Sequence, residues 1–144
     1  FKIIENYQQI PEMVGMFQKE VAERTAAVPR TKDYGILSVL VQAYYDVKYL
    51  FTVHENVFNP PPKVKSGVIK LTRNRKEGLE GNEILFKQIV KTGFGQRRKK
   101  LSNALKSLDI PEVLKSHAFM DKRAEELSVE DFINFTQEWK AAKN

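Results

Sequence analysis

Residues Asn59-Pro60-Pro61-Pro62 stand between two stretches that alternate apolar and polar positions, Val47–Val53 and Val64–Thr72. Proline fixes φ and has no N–H to donate, so a run of three cannot lie inside a sheet. Alternation at period 2 on either side reads as two half-buried strands. The prolines then form the loop that joins them, and the two strands are expected to pair antiparallel at a sheet edge.

Around this pair the pattern is mixed. Phe1–Tyr7 reads as the tail of a helix, stopped before Pro11. Met13-Val14-Gly15-Met16-Phe17 is short and apolar on both faces, as an inner parallel strand would be. Lys19–Ala27 reads as a helix, with Val21 and Ala22 on one side and Glu20, Glu23 and Arg24 on the other. Val28–Thr31 is a turn. Asp33 is expected to cap a helix running to about Tyr45, with Ile36, Leu37, Leu40, Val41 and Tyr44 at helical spacing.

Asn74–Asn82 is polar, with Gly78 and Gly81, and reads as a linker. Everything beyond it is helical in pattern. Glu83–Thr92 carries Ile84, Leu85, Ile89 and Val90, and Gln96–Leu108 places Leu101, Ala104, Leu105 and Leu108 on one stripe. Pro111–His117 is a short helix with proline in its first turn. Ser128–Lys143 opens with Ser128 and Asp131 at capping-box spacing and carries Val129, Phe132, Ile133, Phe135 and Trp139. The fold class is α/β plus all-α: residues 1–74 form the second half of an α/β unit, 75–82 the linker, and 83–144 a small helical domain.

With 144 residues the chain can bury roughly 68–70% of its unfolded surface. It has no cysteine, which excludes disulfides and thiolate metal sites and favours a cytoplasmic setting. No apolar run approaches the ~20 residues of a membrane span, and the charges in Phe1–Ile10 are unlike a signal peptide. Charge placement says more. Pro60–Lys106 holds 13 Lys and Arg against 3 Glu, a net of +10, whereas the rest of the chain nets −4. Segregation of this size points to a polyanion, and nucleic acid is the partner such cations usually neutralise.

Catalytic equipment of the usual kind is sparse. His54 and His117 lie far apart in sequence and read as structural or solvated. The carboxylates fall on polar helix faces, and no metal-ligand spacing is present. Two segments stand out instead. Phe58, separated from Pro60 and Pro61 by Asn59 alone, would be held rigidly at the end of the sheet, where open α/β folds place their ligand crevices. It could stack on an extruded base or simply belong to the core. The block Gln96-Arg97-Arg98-Lys99-Lys100 is expected to begin a helix, with Lys99, Asn103 and Lys106 on its exposed face and Arg97 near the apolar stripe. Arg98, Lys99 and Lys100 are the candidates for phosphate contact. Arg97 either anchors structure or reaches a groove between domains.

Several of these blocks resemble the rRNA adenine dimethyltransferase family. The match runs through Gln18–Arg24, Tyr34-Gly35-Ile36-Leu37-Ser38-Val39, the Phe58-x-Pro60-Pro61 motif with Val64 and Ser66, Gln96–Lys106 and Arg123-Ala124-Glu125-Glu126-Leu127-Ser128. It covers almost the whole chain, in order. The resemblance implies the second half of a Rossmann-like class I methyltransferase sheet followed by a helical RNA-binding domain. It implies S-adenosylmethionine-dependent N6,N6-dimethylation of two adjacent adenosines near the 3′ end of small-subunit rRNA, on naked RNA or an assembling small ribosomal subunit. Phe58, with Pro60 and Pro61, would line the target-adenine pocket. Lys63, Lys65, Arg97, Arg98, Lys99, Lys100 and Arg123 would face RNA, although Arg123 could equally pair with Glu126 or cap a helix.

The family's glycine-rich cofactor loop, and the Asn-Leu-Pro-Tyr-type motif that polarises the adenine amino group, would lie ahead of Phe1. The chain alone is therefore expected neither to bind S-adenosylmethionine tightly nor to transfer methyl groups. If Met13–Phe17 is an inner strand, its free edge would be covered by a second chain, a swapped element or a retained fragment. Three other readings compete: a large-subunit rRNA methyltransferase of the macrolide-resistance type, a non-catalytic rRNA-binding or assembly factor on the same scaffold, and a helical DNA-binding module. The last predicts base-reading side chains along one helix, which the basic block at a helix start does not provide.

Overall fold

The structure, a computed structural model, describes residues 2–54, 65–75 and 78–143. Phe58, Pro60, Pro61, Pro62 and Lys63 lie outside the described residues. The elements run α1 (Lys2–Glu5), β1 (Glu12–Gln18), α2 (Lys19–Ala26), α3 (Ile36–Gln42), β2 (Tyr45–Val53), β3 (Ser66–Arg73), α4 (Glu83–Gly95), α5 (Leu101–Ala104) and α6 (Val129–Lys143). Single 3-10 turns at Glu112–Leu114, Ala118–Asp121 and Ala124–Glu126 link α5 to α6.

The three strands form one sheet in the order β1-β3-β2, antiparallel throughout. The expected pairing of β2 with β3 is present, from Tyr45 opposite Arg73 to Val53 opposite Ser66, with a bulge between Tyr49 and Phe51. β3 is the central strand, and β2 takes the outer place.

β1 departs from expectation. It pairs antiparallel with β3, Met13 facing Leu71 and Phe17 facing Gly67, and among the described residues no strand lies on its other side. Its burial also alternates, with Val14 58% and Met16 52% exposed. The apolar run resembled a strand buried on both faces because hydrophobicity alone does not report which face is covered. Met13, Gly15 and Phe17 face the helices, while Val14, Met16 and Phe51 (55% exposed) share the open face.

On the covered face α2 lies close to β3 at Gly67. A Cβ there would come within 2.8 Å of both the Ala22 Cβ and the Tyr49 hydroxyl. Glycine is thus what lets the helix pack on the central strand. α3 begins at Ile36 rather than under a cap from Asp33. Ser38 supplies the local bonding: its hydroxyl accepts from the Gly35 N–H at 3.1 Å and donates to the Arg24 carbonyl. The helix stops at Gln42 because Tyr45, fully buried, already belongs to β2.

α6 carries the expected capping box, Asp131 N–H to Ser128 Oγ and Ser128 N–H to Asp131 Oδ2, both 3.0 Å. One apolar cluster runs from Tyr34, Tyr45 and Ile69 through Phe94 to Leu127, Phe132 and Trp139. The polar stretch before α4 takes part in it through Leu79, and Arg75 pairs with Glu130 at 2.7 Å. Among the described residues no helix is long and apolar enough to cross a membrane.

Candidate nucleic-acid interface

Phe94, at the end of α4, is held edge-on to Tyr34 and beside Phe132, each ring 5.8 Å away. Leu101, seven residues on, is fully buried. The chain between these two anchors does not continue as a helix. Gln96–Lys99 form a turn closed by Lys99 N–H to Gln96 O at 2.9 Å, and only Leu101–Ala104 are α-helical. The basic block was expected to begin a helix; it is a surface turn instead. The reason lies in its far end, where Lys100 bridges to Arg123 and the Leu101 N–H donates to the Lys122 carbonyl at 2.8 Å. A strand-like pairing has replaced the first helical turn.

This geometry sorts the cations. Arg97 turns back toward the protein. Its Nη2 donates to the carbonyls of Thr31 and Lys32 at 3.0 and 3.3 Å and meets Glu125 Oε2 at 3.4 Å, with the guanidinium 5.8 Å above the Phe94 ring. Arg123 is also engaged: its Nη2 lies 3.1 Å from Glu125 Oε1, and its backbone N–H donates to Glu126 Oε2 at 2.7 Å. Arg30, at φ 68°, donates its N–H to the Glu125 carbonyl and pairs with Glu126 at 3.2 Å. The Arg123 N–H, with the charges of Arg30 and Arg123 behind it, holds the Glu126 carboxyl below its ordinary value.

Arg98, Lys99 and Lys100 are different. All three are exposed, and none pairs with a carboxylate among the described residues. Three adjacent cations on a turn fixed at both ends, with their charges unspent, suit contact with phosphates.

Lys65 is exposed as well. Its carbonyl accepts from the Lys19 N–H at the start of α2, whereas Arg97 binds the loop that follows the end of α2. The two therefore lie beyond opposite ends of an eight-residue helix. Sequence reasoning gave no role to Arg30, Lys32 or Glu125, and named Glu126 only as an alternative partner of Arg123. The signal for Glu125 was its place two residues after Arg123 and beside Glu126. Nothing local marked Arg30, which reaches Glu126 across 96 residues.

The histidines take structural or solvated places. His117 Nε2 lies 2.9 Å from Glu138, and its Nδ1 accepts from the Phe119 N–H. His54 is exposed just past β2. No group of three metal-ligating side chains occurs among the described residues.

The family described as Ribosomal RNA adenine dimethylase matches residues 1–141. The chain belongs to this family. It is 57% identical over 136 residues to the ribosomal RNA small subunit methyltransferase A of Cytophaga hutchinsonii, covering 94% of this chain and 53% of that protein. With the Flavobacterium johnsoniae protein of the same name it shares 57% over 141 residues, 98% of this chain and 54% of the relative. The chain thus spans about half the length of the curated relatives it matches.

Among solved structures, a dimethyladenosine transferase from Plasmodium falciparum superimposes with a TM-score of 0.86 at 23% identity, over 99% of this chain and 62% of that one. The 23S rRNA methyltransferase ErmE gives 0.60 at 21% identity, over 91% and 55%. Both likenesses concern the fold: the chain carries part of a methyltransferase fold, a small antiparallel sheet with helices.

Among the described residues, neither the glycine pair of α4 nor the cavity beneath α2 fits S-adenosylmethionine. Gly93-Phe94-Gly95 sits inside and at the end of α4 rather than in a strand-to-helix turn, and a Cβ at Gly93 would lie 3.2 Å from the Leu101 side chain. The cavity beneath α2, about 210 Å³, is lined mostly by apolar side chains such as Phe17, Val21, Leu37 and Ile69. Neither offers the donors and acceptors that a charged nucleoside requires.

Proposed function

We propose that this chain is the rRNA-binding portion of an enzyme that dimethylates two adjacent adenosines at N6 near the 3′ end of small-subunit rRNA, and that it acts in ribosome biogenesis in the cytoplasm. Its partner is the small-subunit rRNA within the assembling subunit. The observation that carries the reading is the turn Arg98-Lys99-Lys100, held at both ends and left without counter-charges, in a chain 57% identical to proteins named ribosomal RNA small subunit methyltransferase A. Residues 83–144 supply the RNA-binding helical domain, 75–82 the linker, and 1–74 the back of the catalytic domain. Phe58, with Pro60 and Pro61, stacks on the target adenine, and Lys63 and Lys65 flank it. Arg97 and Arg123 act from behind, by fixing the turn.

The whole enzyme takes its methyl group from S-adenosylmethionine. No residue of this chain is assigned to that donor, and the chain on its own is inactive. The test is methyl transfer by a chimera that places this chain behind the N-terminal portion of the Cytophaga hutchinsonii relative, with labelled donor and undermethylated small subunits. Label on two adjacent adenosines, lost in Phe58→Ala while binding persists, is the expected result. Binding without label would favour a second reading, a non-catalytic rRNA-binding factor, which the same free cations equally suit.

A further inference from the structure

A pocket of about 460 Å³ opens on the helical side of the molecule, with a polar rim that nothing above uses. Its floor is Leu108, Ile110 and Met120, the last almost fully buried. Its rim carries Ser102, Lys106, Asp109 and Lys115, the last paired with Glu112 at 3.0 Å.

Both walls of this pocket grow out of the basic turn. Lys100 precedes α5, whose Ser102 lines the pocket, with Lys106 just beyond the helix. Met120 belongs to the 3-10 turn that leads into Lys122 and Arg123, and Lys122 is bonded to Leu101. Lys100 stands two residues before Ser102, so a strand whose phosphates lie on Arg98, Lys99 and Lys100 would run close to the pocket.

The chemistry of the pocket matches one unpaired base. An apolar floor with a polarisable methionine sulfur accepts an aromatic face. Single-stranded RNA is read by splaying bases out of the stack into such sites. The Asp109 carboxylate is almost fully exposed, and its one ion pair, to Lys143, is long at 3.6 Å, so it is free to accept from an exocyclic amino group. Lys106 has no carboxylate partner among the described residues and can take the adjoining phosphate.

We infer that this pocket is a subsite for one unpaired, amino-bearing nucleobase (adenine, cytosine or guanine) of the RNA whose backbone is held by Arg98, Lys99 and Lys100. The inference rests on the RNA-binding reading above. Uracil, which has no exocyclic amine, is the base the site disfavours.

The experiment titrates single-stranded oligo(A), oligo(U) and an abasic oligonucleotide of equal length into the chain. Affinity is read by anisotropy, and the methyl resonances of Leu108, Ile110 and Met120 by NMR. The expected result is methyl shifts with oligo(A) and none with the abasic strand. Asp109→Ala should reduce the preference for A over U roughly tenfold, the size of one base-edge contact. Ser102→Phe, at a half-buried rim position, should weaken oligo(A) binding without changing its salt dependence. Should Ser102→Phe not fold, Asp109→Ala carries the test, because its side chain is almost fully exposed. Equal shifts with the abasic strand would overturn the subsite. So would pocket variants that bind as wild type while Arg98→Ala weakens binding, a result that leaves the RNA-binding reading standing. If Arg98→Ala also binds as wild type, both readings fall.

Discussion

Tyr34 and Leu127 are 93 residues apart, yet the Tyr34 hydroxyl donates to the Leu127 carbonyl at 2.7 Å in the buried centre of the molecule. Burial pushes the phenol pKa well above its ordinary value, so the hydroxyl stays a donor at any physiological pH. Tyr34→Phe leaves that carbonyl without a partner and is expected to cost about 1–3 kcal/mol. Urea unfolding should show a lower midpoint with an unchanged slope.

Arg97 serves three acceptors with one guanidinium: the Thr31 and Lys32 carbonyls and Glu125. Lysine keeps the charge but not the fork. Since the side chain is 35% exposed, Arg97→Lys should cost only about 1 kcal/mol in thermal or urea unfolding. Glu125→Gln should cost less, because the two carbonyls still hold Arg97.

Glu126 makes stability depend on acid. Its carboxyl is held below the ordinary value mainly by the Arg123 N–H, so the folded state favours the ionised form. That contribution is complete above the unfolded carboxylate pKa of about 4.3 and is lost as pH falls through the lower folded value. Wild type should therefore lose its advantage over Glu126→Gln as the pH drops from 6 toward 3, which urea midpoints across that range would reveal. A constant gap would mean that Glu126 acts through packing rather than charge.

Gly67 is the point of closest approach between α2 and the sheet. In Gly67→Ala the new methyl meets Ala22 and the Tyr49 hydroxyl at 2.8 Å, so α2 has to lift. Overpacking of this kind costs about 1–3 kcal/mol. Circular dichroism melts should show a lower midpoint with helix content retained.

Much of this was legible in the residues themselves. Alternation flanking the prolines located β2 and β3, and Ser128 with Asp131 located the start of α6, because both signals are local. The placement of β1 was not legible: the apolar run Met13–Phe17 states that it wants burial, not which neighbour it pairs with. The turn at Gln96–Lys99 was missed because its cause is remote, a bridge from Lys100 to Arg123 that overrides helical spacing. The division of labour among the cations was hidden for the same reason. Arg97 and Arg98 are adjacent in sequence, and only the fold turns one toward Glu125 and the other outward.

The central claim is that Arg98, Lys99 and Lys100 are the phosphate-contacting cations. The direct measurement is the salt dependence of binding between the chain and an RNA fragment from the 3′ end of small-subunit rRNA. Replacing all three residues with alanine should lower the slope of log affinity against log salt by roughly two units, at about 0.7 per lost contact. Arg97→Lys should leave the slope unchanged. A triple variant with the wild-type slope would contradict the account and send the search for the RNA surface elsewhere on the molecule.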